Sequence, residues 1–158
     1  MESHGNWYER TVKEISLHKD SLSKKDAQKY KLDLLLRIAR RLDDFSSYCG
    51  ECQLFQPEIT RISQALAYMV QLPKQTSKEE RKSYFETINT IIKHLQKQHK
   101  LVTEGRNMGI WIGIGMGIGT AIGAALDNPG FGTAIGIGIG VVIGRYMDTK
   151  AKQEGRVI

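Results

Sequence analysis

Apolar positions recur every three to four residues along most of this chain, until Gly109 opens a tract in which polar positions almost vanish. From Lys24 the helical signal is strong. Leu35, Ile38, Leu42, Phe45, Cys49 and Cys52 step by threes and fours, with Arg37, Arg40, Arg41, Asp43 and Asp44 on the other faces. Gly50 predicts a break. Pro57 suits the first turn of a second helix, where a missing N–H costs nothing, and Ile59, Ile62, Leu66, Met69 and Val70 form its stripe. Pro73 stops that helix, and PKQTS supplies the turn. Ser77 with Glu80 reads as a capping box for a third helix striped by Phe85, Ile88, Ile92, Leu95, His99 and Val102. Three amphipathic helices with short connections predict an antiparallel bundle. Residues 1–23 are weaker. Tyr8, Val12, Ile15 and Leu22 sketch a stripe that Ser and Gly dilute, so a short or frayed helix is expected there.

Residues 109–144 read GIWIGIGMGIGTAIGAALDNPGFGTAIGIGIGVVIG and carry one charge, Asp127. The glycines fall at spacings of four: Gly109, Gly113, Gly117; Gly115, Gly119, Gly123; and Gly132, Gly136, Gly140, Gly144. On a helix each series lies along one face, where small residues let two backbones approach closely in lipid. The Ile-Gly alternation has the period of a strand, but the spacing of four persists where the alternation fails. A water-soluble helix would have to offset a glycine cost on the order of 10 kcal/mol relative to alanine. In lipid the backbone has no other way to satisfy its hydrogen bonds. Residues 108–126 would span roughly 28 Å and 131–147 roughly 25 Å, against a hydrocarbon thickness of about 30 Å. The pattern predicts a membrane hairpin turning at DNPG. No Lys-Ser/Thr follows Gly113, Gly115 and Gly117 and no strand precedes them, which excludes a nucleotide-binding loop.

Charge sharpens this division. Residues 1–106 hold 19 of the 23 Lys/Arg and 14 of the 17 Asp/Glu. Lys97, Lys100 and Arg106 precede the first span; Arg145, Lys150, Lys152 and Arg156 follow the second; the loop between them has no basic residue. Both termini are therefore expected in the cytoplasm, with the DNPG loop on the far side. The net charge of +6 is spread among acidic residues rather than clustered with aromatics, which fits an anionic lipid surface and not nucleic acid. The N-terminal stretch lacks a signal-peptide pattern. The expected layout is all-α: a weak segment over 1–23, a cytoplasmic three-helix bundle over 24–104, a two-helix transmembrane hairpin over 105–147 and a basic tail over 148–158.

The Gly/Ile tract resembles the glycine-zipper membrane proteins, whose GxxxG spans form packed helical hairpins or oligomers. The resemblance covers about 40 residues of the chain. It implies a membrane location, close helix packing and self-association, and it transfers no activity.

One constellation carries chemical potential: Cys49-Gly-Glu-Cys52 with His94-Leu-Gln-Lys-Gln-His99. C-x2-C and H-x4-H lie within the spacings of tetrahedral zinc sites, although the long gap between the pairs is unlike a zinc finger. Folding the second and third helices about the turn near residue 74 brings both histidines to the cysteine end. His99 then lies on the apolar stripe, while His94 lies off it and needs local unwinding or a different partner. Two other readings stand beside zinc. Cysteines on an apolar stripe pack as small hydrophobes, and a dithiol can serve redox chemistry. The cytoplasmic setting argues for thiols rather than a structural disulfide. No Ser/His/Asp set or inward carboxylate pair suggests an enzyme.

The function expected from these features is that of a membrane scaffold, anchor or sensor subunit. It would self-associate through the hairpin or join a membrane partner, with a candidate Cys/His metal site close to the bilayer. The third helix is expected to run almost directly into the first span, since residues 99–108 cover about 14 Å if helical. The alternatives are a pore-forming oligomer, for which only Thr120, Asn128 and Thr133 offer polar lining, and a thiol-redox membrane protein.

Overall fold

The computed structural model describes residues 4–71 and 76–158. The described residues are helical almost throughout. Among them seven helices follow in order: α1 (His4–Ser21), α2 (Lys24–Lys29), α3 (Leu32–Ser46), α4 (Gly50–Gln71), α5 (Lys78–Gln98), α6 (Arg106–Ala125) and α7 (Pro129–Gln153). They divide into two compact units, one ending at His99 and the other comprising Lys100–Ile158.

In the first unit α1 packs on α3 and α4, and α5 packs on α3 and α4. Where three long helices are expected, the described residues of this unit hold four, α1, α3, α4 and α5. The short or frayed helix expected over residues 1–23 is a full α-helix, His4–Ser21. Ile15 of the expected stripe is fully enclosed, and Trp7 and Thr11, at four-residue steps before it, share its buried side. The Trp7 indole donates to Thr60 Oγ1 at 3.1 Å, tying α1 to α4.

The helix expected from Lys24 is divided. Ser23 caps α2 by accepting the Asp26 N–H at 3.1 Å. Lys31 then takes a left-handed backbone, φ 55°, before α3 begins. That turn exposes the Tyr30 carbonyl, and the buried Tyr84 hydroxyl donates to it at 2.9 Å. The stripe of α5 is accordingly turned toward Tyr84 and Ile91, which are buried, while Phe85 is only half-buried. Tyr84→Phe should lower stability by about 1–2 kcal/mol, because it orphans a buried carbonyl while leaving the ring in place. A urea titration that shows no loss would contradict that assignment.

Pro57 does not open α4. The helix begins at Gly50, with Pro57 inside it. Cys49 accepts the Gln53 N–H at 3.3 Å, and the Gln53 side chain donates to the Ser46 carbonyl at 2.6 Å, so two turns form ahead of the proline. The break expected at Gly50 falls just before it, between Ser46 and Gly50. The turn expected over 73–77 lies mostly outside the described residues. Its far end carries the predicted capping box: Ser77 N–H donates to Glu80 Oε2 at 2.7 Å, and Glu80 N–H to Ser77 Oγ at 3.0 Å.

In the second unit α6 and α7 form a hairpin. Asp127 turns left-handed at φ 55°, Asn128 Oδ1 accepts the Phe131 N–H at 3.2 Å, and Pro129 starts α7. At the open end, Asp148 of α7 accepts the N–H groups of Asn107 and Met108 at 3.2 and 3.1 Å, capping α6 from its neighbour. The glycine series separate into two kinds. A Cβ on Gly115, Gly119, Gly123, Gly132, Gly136, Gly140 or Gly144 would fall within 2.0–2.6 Å of backbone atoms on the facing helix or, at Gly123, of Asn128 in the turn. A Cβ on Gly109, Gly113 or Gly117 would meet nothing within 4 Å. Both helices are long and apolar enough to cross a membrane, and within the most apolar 18-residue window of each only 11% and 17% is buried. Ile110, Ile114, Ile118, Ile122, Ile135 and Ile139 all face outward.

Two boundary expectations change. Helix α5 stops at Gln98, and Lys100 and Gly105 both take positive φ, so it does not run straight into α6. The tail expected over 148–158 is helical to Gln153. Gly155, φ 65°, then turns the chain so that 156–158 pair with 102–104. Val102 donates to the Arg156 carbonyl at 2.8 Å and Ile158 to the Val102 carbonyl at 2.9 Å.

Candidate metal centre

The site forms where α4 begins and α5 ends. After α3, the Tyr48 and Cys49 N–H groups both return to the Phe45 carbonyl, at 3.2 and 2.9 Å, and the Cys49 carbonyl receives the first bond of α4. Cys49 is thus the N-cap of α4, with Cys52 one turn in and fully buried. His94 projects from the last part of α5, and His99 is its C-cap residue, donating its N–H to the Leu95 carbonyl at 3.1 Å.

One ligating atom from each of Cys49, Cys52, His94 and His99 lies within 4.8 Å of every other. His94 Nε2 is 3.4 Å from both sulfurs, and His99 Nε2 is 3.3 Å from Cys52 Sγ. A tetrahedral zinc with Zn–S of about 2.3 Å and Zn–N of about 2.0–2.1 Å places S and N about 3.6 Å apart. These three S···N separations are within a few tenths of an ångström of that value. The unwinding expected at His94 is unnecessary, since it sits in regular helix with its side chain 7% exposed. The buried face of α5 is rotated toward Ile91, and Cys49 stands at a helix junction rather than on the stripe.

Aromatic rings enclose the centre. Phe45 stacks on the His99 ring, 4.0 Å between centroids and 3° from parallel. Phe55 lies 5.3 Å from the His94 ring, and Tyr48 meets His99 edge-on. Burial, with Cys49 and Glu51 adding to it, pushes the Cys52 thiol up to about 12. That outweighs the thiolate-favouring N-terminus of α4. Burial, then His94, lowers the His99 imidazole. A divalent ion would displace the thiol protons, as metal binding to cysteine generally does.

The four residues singled out by spacing are the ones the fold brings together, with surroundings that the pattern does not show. Glu51, inside the C-x2-C, reaches His94 Nδ1 at 2.5 Å. The available signal was an acidic residue between two cysteines at a helix start. Phe45 falls on the apolar stripe of α3 and Phe55 on no stripe, so the spacing marks neither as a neighbour of the histidines. No protein family, curated protein or solved structure matches the chain.

Proposed function

We propose that this chain is a membrane-anchored scaffold or sensor subunit whose helical unit binds a zinc ion through Cys49, Cys52, His94 and His99. The observation that carries this reading is the convergence of the four ligating atoms within 4.8 Å. All four positions of a tetrahedral site are supplied by protein, which is the pattern of structural rather than catalytic zinc. Two thiolates with two imidazoles suit zinc better than the hard, oxygen-preferring magnesium and calcium. The membrane part of the proposal rests on two long apolar helices whose side chains are mostly unburied. Six residues, 100–105, separate His99 from α6, so a metal-dependent change in the unit ending at His99 acts on a short connection.

Self-association belongs to the same proposal. The glycine face made of Gly109, Gly113 and Gly117 is free of the intrachain contact, and a second hairpin or another membrane helix would have room to approach it. A pore is less well supported, because the Thr120 and Thr133 hydroxyls bond each other at 2.6 Å rather than lining a water path. The test is alkaline extraction of membranes carrying the full chain, followed by cross-linking in mild detergent with zinc or with chelator. We expect the chain to stay with the lipid and its cross-linked pattern to depend on zinc. Release into the soluble fraction would contradict the anchor, and a zinc-independent pattern would contradict the sensor role.

A further inference from the structure

We infer that Glu51 is a positioning residue that orients His94 for the metal; the inference rests on the zinc reading above. A histidine ligates through a ring nitrogen that carries no proton, so the other nitrogen must hold it. In His94 the two nitrogens have different surroundings. Nε2 faces both cysteine sulfurs at 3.4 Å, while Nδ1 is 2.5 Å from Glu51 Oε2. A carboxylate at that distance accepts the Nδ1 proton, fixing the tautomer with the Nε2 lone pair directed at the thiols. The same contact limits ring rotation about χ2 and makes the imidazole a stronger donor to a cation. His99 is oriented differently, by its parallel stacking on Phe45.

The placement follows from the C-G-E-C order. Residue 51 lies in the first turn of α4, between the N-cap Cys49 and Cys52, so its side chain reaches around the rim to His94 on α5. The Glu51 side chain is 63% exposed, so its truncation removes little packing. Nearby Glu58 makes a comparable exposed contact, 2.7 Å to Arg61, with no part in the cluster. It serves as the control for the loss of one negative charge on the same helix.

The experiment is competition for zinc between the full-length protein in detergent and a chromophoric chelator, for wild type, Glu51→Gln, Glu51→Ala and Glu58→Gln. We expect both Glu51 variants to keep one zinc per chain but to bind it about 10–100-fold more weakly, with Glu58→Gln within about two-fold of wild type. In the zinc form, the His94 Nδ1 proton should resonate far downfield in wild type and move upfield in Glu51→Gln. A merely structural role for Glu51 would not move that signal. Affinity of both Glu51 variants within about two-fold of wild type would overturn the inference while leaving the zinc site standing. Failure of the wild type to take up stoichiometric zinc would overturn the zinc reading first, and the inference with it.

Discussion

Gly136→Ala should open the helical hairpin, whereas Gly117→Ala should leave it closed. A Cβ on Gly136 would lie 2.0 Å from the Gly115 carbonyl oxygen and 2.8 Å from its carbon, and both atoms are backbone. No rotamer change relieves such an overlap, so α6 and α7 must move apart and lose contact along their length. Overpacking in well-fitted cores costs about 1–3 kcal/mol, occasionally more, and a clash with backbone belongs at the upper end. Gly136→Leu should be worse. At Gly117 an added methyl meets nothing within 4 Å and gains up to about 1 kcal/mol of helix propensity. Trp111 reports on the hairpin, because its indole donates to Met147 Sδ across the two helices at 2.8 Å. In a Trp7→Phe background, titration with a denaturing detergent should show an early transition for Gly136→Ala and none earlier than wild type for Gly117→Ala. Equal transitions would mean that the glycines do not set the helix spacing.

The second large effect concerns the metal. With free zinc at a thousand times its dissociation constant, binding to the folded form adds about 4 kcal/mol of stability. For a unit of about 100 residues, each kcal/mol moves the midpoint by about 4–8 °C, so the zinc-loaded bundle should melt some 15–30 °C above the chelated one. Cys52→Ser should abolish that increment, since it removes a buried thiolate while nearly preserving its shape. Its metal-free form should melt within a few degrees of metal-free wild type. An identical melting shift with zinc in wild type and in Cys52→Ser would place the ion elsewhere.

Much of this architecture is written in the periodicity. The capping box at Ser77 and Glu80, the stripes of α3 and α4, and the helical spacing that wins over Ile-Gly alternation in α6 and α7 all follow from local rules. What escaped the pattern depends on tertiary contacts. Trp7, held on Thr60, lies outside the stripe that includes the enclosed Ile15, so its part in docking helix α1 carries no local signal. The break at Lys31 carries no glycine or proline to announce it, and the Tyr84 hydroxyl compensates it from 54 residues away. Pro57 is tolerated inside α4 because bonds to Cys49 and Ser46 build the helix ahead of it. The four metal-ligand candidates were legible from spacing alone. Which histidine could reach was not, because that turns on the rotation of α5 about its axis.

The glycines show the same limit. Their spacing of four marks every series equally, yet only the geometry separates those engaged inside the hairpin from those left open. Gly136 and Gly140 face α6 of the same chain, so substituting them tests the hairpin itself. Gly113→Leu is the better probe of self-association, since it enlarges a face that the hairpin leaves free.

Whether Cys49, Cys52, His94 and His99 hold one metal ion is read by X-ray absorption at the zinc edge of the purified full-length protein. The expected spectrum shows one zinc per chain with two sulfur ligands at about 2.3 Å and two nitrogen ligands at about 2.0 Å, lost in Cys49→Ser/Cys52→Ser. Protein without stoichiometric metal, or a zinc ion surrounded by oxygen, would contradict it.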